Sequence, residues 1–135
     1  LGGTPKSRNW WLGARPNEDR VHWSIFDQNG TNRNVDTPPG TLPTGEFVHI
    51  AGVYDKASGD LRVFVDGTRE KQRSFSSFTP KTSDDPGAIG AESVGTDRRI
   101  RLFQGVIDDL RIYDRALSAS EVDALHQQTG GGGGS

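Results

Sequence analysis

The chain has 135 residues, which suits one domain built around one core. Hydrophobic residues make up 31% of it, 18 residues are glycine, and the formal net charge is −2. This composition favours short strands joined by many turns, and so small a net charge gives no reason to expect nucleic acid or an anionic membrane as a partner. Cysteine is absent, which excludes a disulfide framework, a thiolate zinc site and a cysteine nucleophile.

Membrane insertion is not expected either, because no apolar run approaches the roughly 20 residues that a spanning helix needs. No signal peptide is recognisable, and the sequence contains no methionine, even at position 1. These features lead us to expect a processed product or a piece of a longer chain.

The first predicted strand is 21–26, whose apolar side chains alternate with a second set and which is followed by the turn dipeptide Asn29-Gly30. The surrounding segment 27–34 superficially resembles a calcium loop, but it lacks the glutamate that closes an EF-hand, so we interpret it as a turn. A loop at 42–45 then leads into 47–55. That run is apolar on both faces, which predicts a central strand covered on both sides.

A hairpin is predicted around Asp66-Gly67, because glycine readily takes the positive φ that a two-residue turn needs. Its strands are 61–66 and about 68–75. A short strand near 88–91 and a long one over 103–113 complete the predicted set. Strands at this short, regular spacing indicate an all-β sandwich or barrel.

One helix is predicted, over 118–128. Ser118 and Glu121 form a capping box there, in which each side chain satisfies a main-chain N–H group of the first turn. The residues 129–135 are interpreted as a flexible Gly/Ser linker or tail.

Three stretches together carry a family resemblance. They are LPTGEFVHIAGVYD at 42–55, LRVFVDG at 61–67 and FQGVIDDLRIYDRALS at 103–118, the last followed by Glu121. In this order and spacing they resemble the second half of a laminin G-like jelly-roll domain of the concanavalin A-like lectin/glucanase superfamily. The third stretch is the most specific, and the resemblance covers about Trp10 to Gln128.

The resemblance implies an all-β fold, an antiparallel two-sheet β-sandwich (jelly roll) with one short C-terminal helix, over residues 1–128. Such domains are usually accessory modules of exported bacterial enzymes and surface proteins, which implies an extracellular location. They usually open with several more strands, so we expect this domain to be incomplete at its N-terminus. Missing strands leave sheet edges that invite association.

Asp108 is the candidate metal ligand. It cannot act as a catalytic pair with Asp109, because adjacent residues of a strand point to opposite faces. By parity it shares a face with Val106, Leu110 and Ile112, which we expect to be buried. The resemblance implies a structural Ca²⁺ at such a point, and the alternative is a carboxylate that accepts hydrogen bonds from loop amides.

Trp11 and Phe64 are the candidate aromatic ligand contacts. By parity Trp11 points away from Trp10 and Leu12, and Phe64 points away from Val63 and its apolar partners. An outward tryptophan near a sheet edge suits stacking on a sugar ring, although such a side chain more often packs under a loop or against the opposite sheet.

Arg98 and Arg99 are predicted to lie in a loop, where they either contact an acidic glycan or phosphate or are simply solvated. Of the histidines, His49 is expected to be a hydrogen-bonded core residue, whereas His22 and His126 are expected at solvated or rim positions.

A catalytic role is not predicted. Glycoside hydrolases use two carboxylates about 5 Å apart in retaining enzymes, and no predicted strand offers two on one face at suitable spacing. We therefore expect a non-catalytic extracellular module that binds a glycan or cell-surface polysaccharide for a larger protein. The alternatives are a protein–protein adhesion or assembly module that associates through open sheet edges, and a structural spacer.

Overall fold

The computed structural model describes residues 9–15, 17–82, 89, 92–94, 98–100 and 105–129, and for 92–94, 98–100 and 129 only the backbone. The elements in chain order are β1 (Trp10–Arg15), β2 (Arg20–Phe26), β3 (Asn32–Asp36), β4 (Ile50–Asp55), β5 (Asp60–Val65), β6 (Thr68–Ser74), β7 (Glu92–Val94), β8 (Arg98–Ile100) and α1 (Ala119–Thr129). In the described part of the chain, no helix is both long enough and apolar enough to cross a membrane.

Two antiparallel three-stranded sheets form the body of the domain, in the orders β1-β2-β3 and β4-β5-β6. Strands β7 and β8 pair with each other. The prediction of an antiparallel β-sandwich with one short helix near the C-terminus is confirmed.

The core lies between the two sheets. Its buried side chains are Val21, Trp23, Ile25 and Val35 from the first sheet, Leu61, Val63 and Val65 from the second, and Phe78 beyond β6. Along β2 and β5 these positions recur at every second residue, as the period of a strand requires. The alternation predicted for 21–26 and 61–66 is therefore confirmed, and full burial of each such side chain contributes about 1.5–3 kcal/mol.

Trp23 joins the two sheets directly. Its indole N–H donates a 3.1 Å hydrogen bond to the main-chain carbonyl of Val53. A Cβ added at Gly52 would lie 2.6 Å from the nearest ring atom of Trp23. The backbone of β4 approaches the indole this closely because residue 52 has no side chain.

The hairpin between β5 and β6 turns at Asp66 and Gly67, whose φ angles are 49° and 80°. Two successive positive φ values are typical of the type I′ turn, so the predicted hairpin is confirmed. The carboxylate of Asp66 accepts the N–H of His49 at 3.0 Å, and the N–H of Asp66 donates to the carbonyl of His49 at 2.8 Å. These bonds tie the turn to the residue just before β4.

Helix α1 begins with the predicted capping box. The main-chain N–H of Ser118 donates to the Glu121 carboxylate at 2.9 Å, and the N–H of Glu121 donates to Ser118 Oγ at 3.2 Å. Arg115 adds two hydrogen bonds to the same carboxylate, at 2.9 and 2.7 Å. The helix extends to Thr129, one residue into the segment predicted as a tail.

The helix covers the face of the second sheet that is turned away from the core. Leu117 and Val122 pack there against Val53 and Phe64 in a second buried cluster. Both faces of β4 are packed, Ile50 against the core and Val53 against the helix. The prediction of a central strand over 47–55 is otherwise wrong: the strand begins at Ile50, Phe47 is 73% exposed, and β5 is the middle strand of this sheet.

Strand β3 was not predicted. The segment 27–34 does contain the expected turn, in which the Asp27 carboxylate accepts the N–H groups of Asn29 and Thr31 at 2.9 Å each. The chain then continues as β3 from Asn32, paired with β2. Asparagine and aspartate are depleted in strands, so the hairpin pairing with β2 is what makes this segment a strand.

The prediction of a long buried strand over 103–113 is wrong for 105–113, the part that the structure describes. That segment is not a strand, and Val106 is 71% exposed, Leu110 55% and Ile112 70%. A strand is held by a ladder to its neighbour, and no described strand pairs with this segment. Asp109 also interrupts the extended backbone, because its φ is 54°. Of the predicted strand 88–91, only Ile89 is described, and it is not in a strand.

Candidate functional site

A largely polar surface around Trp11 lies on the first sheet, on the face turned away from the core. We call it the Trp11 face and define it by the residues of that face around Trp11: Trp11, Gly13, Arg15, His22, Ser24, Asn34 and Asp36. The register places Arg20, Phe26 and Asn32 on the same face, at the ends of the strands. Residues directly opposite each other in an antiparallel pair share a face. The predicted orientation of Trp11 is confirmed, because Leu12 packs against the core on the other face.

Trp11 contacts His22. Their ring centroids are 4.8 Å apart and the ring planes are tilted by 53°. The indole also lies across Gly13, where an added Cβ would come within 2.7 Å of Trp11 Nε1. Glycine at position 13 therefore lets the indole lie flat over its own strand.

Three charged or titratable side chains meet beside this pair of rings. Asp36 Oδ1 is 3.1 Å from Arg15 Nε and 2.7 Å from His22 Nδ1, and Arg15 Nη2 is 3.1 Å from the same His22 nitrogen. The strand register brings these three side chains together, because His22 is directly opposite Asp36 on β3 and Arg15 lies at the end of β1. His22 is only 3% exposed, so its ring is held within the sheet surface.

The protonation of this network follows from its donors and acceptors. Asp36 is an acceptor when ionised, so Arg15 Nε–H and the Nδ1–H form of His22 both donate to it. Burial by itself raises the pKa of Asp36, but the hydrogen bonds from Arg15 and His22 outweigh it and the pKa is lowered. Asp36 therefore remains a carboxylate at neutral pH, and Oδ2 has no hydrogen bond from any residue that the structure describes.

Ser24 and Asn34 extend the polar surface. Ser24 lies opposite Trp11 on one side and Asn34 on the other. It is 1% exposed, and its Oγ has no hydrogen-bond partner within the described part of the chain. Burying a hydroxyl group without a hydrogen-bond partner costs free energy, whereas burying the apolar side chains of the core does not carry that cost.

The side chains of this face offer groups that can bind a ligand. An indole can pack on the C–H face of a sugar or another flat ligand, while a carboxylate and a guanidinium accept from and donate to hydroxyl groups. Along the described strands β1, β2 and β3, Asp36 is the one carboxylate on this face. Two flanking carboxylates are the usual requirement of glycoside hydrolysis.

Phe64 does not lie at this site, and its prediction as a ligand contact is wrong. The side chain does point away from the core, as parity predicted. It is 1% exposed, however, because α1 covers that face of the second sheet. A side chain without accessible surface cannot touch a ligand.

Arg98 and Arg99 lie in β8, paired with Val94 and Ser93 of β7, and not in the predicted loop. Main-chain pairing explains the difference, since two short strands close on each other here. Their side chains fall outside what the structure describes, so their contact with an acidic glycan or phosphate stays a prediction.

Asp108 is exposed, and its prediction as an inward carboxylate is wrong. Its Oδ1 accepts the neighbouring N–H of Asp109 at 2.9 Å, which is the loop-capping alternative. Throughout the described residues, no group of three or more metal-binding side chains comes together. The Ca²⁺ implied by the resemblance therefore does not fit the residues described around Asp108.

The histidines also differ from expectation. His22 is buried in the network described above and is not a rim residue. His49 and His126 face each other at the hairpin, with ring centroids 5.9 Å apart. His49 is half-buried, and its Nδ1 has no hydrogen-bond partner among the described residues, so it is not the hydrogen-bonded core residue that we expected.

The sequence alone did not reveal Arg15 and Asp36 as members of the site. The only available signal was the side-chain parity of β1 and β2, which places Trp11 and Arg15 on one face. Their contact with Asp36 depends on β3, and that strand is hidden by its asparagine and aspartate residues.

A family model described as the concanavalin A-like lectin/glucanases superfamily matches residues 2–123. The chain belongs to this superfamily. The laminin G-like resemblance drawn from the three sequence stretches is thereby confirmed. No curated protein sequence matches this superfamily member.

Solved structures share its fold at low sequence identity. An S-layer domain-containing protein from Clostridium thermocellum (residues 221–444) has a TM-score of 0.52 and 16% identity over 90% of this chain and 64% of its own. The receptor binding domain of botulinum neurotoxin type G has a TM-score of 0.56 and 16% identity over 88% of this chain and 28% of its own. The binding domain of paraclostridial mosquitocidal protein 1 has a TM-score of 0.56 and 17% identity over 91% and 30%.

The superfamily member thus spans less than two thirds of each of these chains. Identities of this size relate the folds alone.

Proposed function

We propose that this superfamily member is a non-catalytic extracellular module that binds carbohydrate on the Trp11 face. One observation carries the proposal: the Trp11 indole lies beside the Arg15–His22–Asp36 network, with ring centroids of Trp11 and His22 at 4.8 Å. A pyranose ring presents C–H groups to an aromatic face and hydroxyl groups around its rim. An indole next to a carboxylate and a guanidinium complements both.

The hydroxyl groups of the sugar bond to the polar members of the face. Asp36 Oδ2 accepts from one hydroxyl, and charge-assisted bonds of this kind are stronger than neutral ones. Arg15, whose side chain is 39% exposed, donates to another. Because Arg15 and Asp36 neutralise each other, the face suits a largely uncharged glycan better than a strongly charged one.

The same geometry supports a non-catalytic role. Cleavage of a glycosidic bond needs an acid and a second carboxylate on the opposite side of the scissile bond. Asp36 lacks such a partner on β1, β2 and β3 as the structure describes them. The module therefore holds a glycan for an attached protein and leaves it intact.

An extracellular or cell-surface setting is supported by the kinds of protein that share the fold. They are an S-layer domain-containing protein and two binding domains of toxins. By analogy the ligand is a glycan or cell-surface polysaccharide, and the module serves a larger secreted or surface protein.

A glycan array followed by isothermal titration calorimetry tests the proposal. Trp11→Ala is compared with Trp10→Ala, which removes the same side chain from the neighbouring position on the opposite face of β1. The proposal expects at least one glycan ligand, loss of most of the affinity in Trp11→Ala, and near wild-type affinity in Trp10→Ala. Equal affinity of wild type and a folded Trp11→Ala would contradict it, as would hydrolysis of the bound glycan.

A second candidate function is association with protein through the segment 105–113. The exposed apolar side chains there are Val106, Ile107, Leu110, Ile112 and Tyr113, which are 71%, 47%, 55%, 70% and 44% exposed. Exposed apolar surface of this kind is typical of interaction sites. Light scattering after size exclusion tests it: the candidate expects concentration-dependent association that Leu110→Lys with Ile112→Lys removes. A monomer with no glycan ligand supports a structural spacer instead.

A further inference from the structure

Helix α1 approaches the β5–β6 hairpin closely at one point. A Cβ added at Gly67 would lie 2.7 Å from the Asp123 carboxylate oxygen and 3.2 Å from the His126 ring. Helix and turn are therefore in van der Waals contact. Beneath the helix the apolar cluster of Val53, Phe64, Leu117 and Val122 is buried.

Two imidazole rings meet at this contact. The rings of His49 and His126 are 5.9 Å apart between centroids and tilted by 49°. Nδ1 of each ring is buried, and neither has a hydrogen-bond partner among the residues that the structure describes. His126 Nδ1 lies 3.7 Å from Asp66 Oδ1, which is beyond hydrogen-bond distance.

The charges around His49 come from every element that packs on it. His126 approaches from α1, Asp66 from the hairpin and Arg111 from the segment before the helix, with Asp123 on the same turn of α1 as His126. Burial lowers the pKa of His49 below its ordinary value of 6.5, and His126 and Arg111 lower it further, while Asp66 opposes them. The neutral imidazole is thus the form that the docked helix favours.

We infer that α1 is a pH-sensitive cover, docked on the β4–β5–β6 sheet while His49 is neutral and loosened when His49 takes up a proton. The geometry carries the inference: a charge on His49 arises beneath the helix, 5.9 Å from a second imidazole and without a hydrogen-bond acceptor on its buried nitrogen. A charge on a half-buried ring whose buried nitrogen has no hydrogen-bond acceptor is costly, so protonation favours the open state. Opening uncovers Phe64 and Val53, the apolar side chains that α1 hides.

The direction of the pH dependence follows from linkage. A histidine whose pKa is lowered in the docked state binds more protons when the helix is released. Docking is therefore complete above the ordinary pKa of 6.5 and weakens as the pH falls below it. Since one proton is linked, the docking equilibrium changes by at most about tenfold per pH unit.

Hydrogen exchange of the full chain between about pH 7.5 and about pH 5.5 tests the inference, with rates corrected for the intrinsic pH dependence of exchange. The expected result is that protection of the α1 amides falls on acidification while protection of the β2 amides stays constant. His49→Gln removes the titrating group but keeps a polar side chain, so its α1 protection is expected to be independent of pH.

Constant α1 protection in the wild type overturns the inference, and so does a His49→Gln variant that keeps the wild-type pH dependence. If His49→Gln does not fold, the ring proton resonances of His49 in the wild type give the answer. A titration midpoint below 6.5 that rises in His126→Gln supports the inference. A midpoint at or above that value, or one that is unchanged in His126→Gln, overturns it.

Discussion

Trp23 of the first sheet donates its indole N–H to the carbonyl of Val53 in the second, at 3.1 Å. Both residues are buried, at 8% and 5% exposure, so this hydrogen bond crosses the sandwich away from water. It fixes the distance between the sheets and, through β2, the position of the neighbouring strand β1 that carries Trp11.

Trp23→Phe keeps an aromatic ring in the core but removes the N–H donor. The Val53 carbonyl is then buried without its partner, and leaving such a group unsatisfied costs about 1–3 kcal/mol. Denaturant unfolding monitored by circular dichroism measures the loss. A Trp23→Phe variant as stable as the wild type shows that the carbonyl has found another donor.

Two glycines that lie under tryptophan rings are expected to respond differently to alanine. At Gly52 the new Cβ meets three ring atoms of the buried Trp23 at 2.6–2.9 Å, so Gly52→Ala overpacks the core and costs about 1–3 kcal/mol. At Gly13 the new Cβ meets the half-buried Trp11, which can swing away. Gly13→Ala is therefore expected to unfold at nearly the wild-type denaturant concentration and to lose glycan affinity.

The outcome at Gly13 has its own control. In the Trp11→Ala background, Gly13→Ala is expected to cause no further loss of affinity, because the side chain that it displaces is already gone. An additive loss measured by calorimetry means that position 13 acts on the ligand by another route.

Arg15 and Asp36 are expected to depend on each other. A double-mutant cycle with Arg15→Gln and Asp36→Asn is expected to give a coupling of about 0.5–3 kcal/mol in unfolding free energy, as for residues in direct contact. Because the pKa of Asp36 is lowered in the folded state, its contribution is present above its ordinary pKa and is lost as the pH falls through the lowered value. Strict additivity of the two variants at neutral pH would show that the network is not energetically connected.

The stability that the capping box contributes to the first turn of α1 is expected to depend on pH. Ser118→Ala removes the N-cap and costs about 1 kcal/mol of stability. Arg115 and the Ser118 N–H lower the pKa of Glu121 to about 2, so the contribution of the carboxylate is complete above its ordinary pKa and is lost as the pH falls through about 2. The difference in unfolding free energy between wild type and Glu121→Gln is therefore expected to shrink between about pH 5 and about pH 2. A difference that is constant over this range contradicts the assignment.

Local signals predicted much of this fold. The Asp66-Gly67 turn and the Ser118–Glu121 box depend on residues close together in the chain, and both form as predicted. The alternation of β2 was equally readable, because every second residue there enters the core.

Features that depend on contacts with distant segments could not be predicted from local sequence patterns. The parity of Phe64 was right, but only the docking of α1 decides that this outward side chain is covered. The apolar pattern of 105–113 predicted burial, yet a strand forms only where an adjacent strand is available for main-chain hydrogen bonds. The candidate site was predicted only in part. Parity placed Trp11 on an outward face, whereas Asp36 lies on β3, whose asparagine and aspartate residues are not typical of a strand.

The most direct test of the central claim is a two-dimensional ¹H–¹⁵N spectrum recorded while a glycan from the array is added. The chain has three tryptophans, so each indole N–H gives its own signal, assigned with Trp11→Phe and Trp10→Phe. If Trp11 contacts the glycan, its signal is expected to shift with the same dissociation constant as calorimetry gives, while the signal of Trp23 in the core stays in place. A bound glycan that leaves the Trp11 signal unmoved, and shifts amides of 105–113 instead, would contradict it.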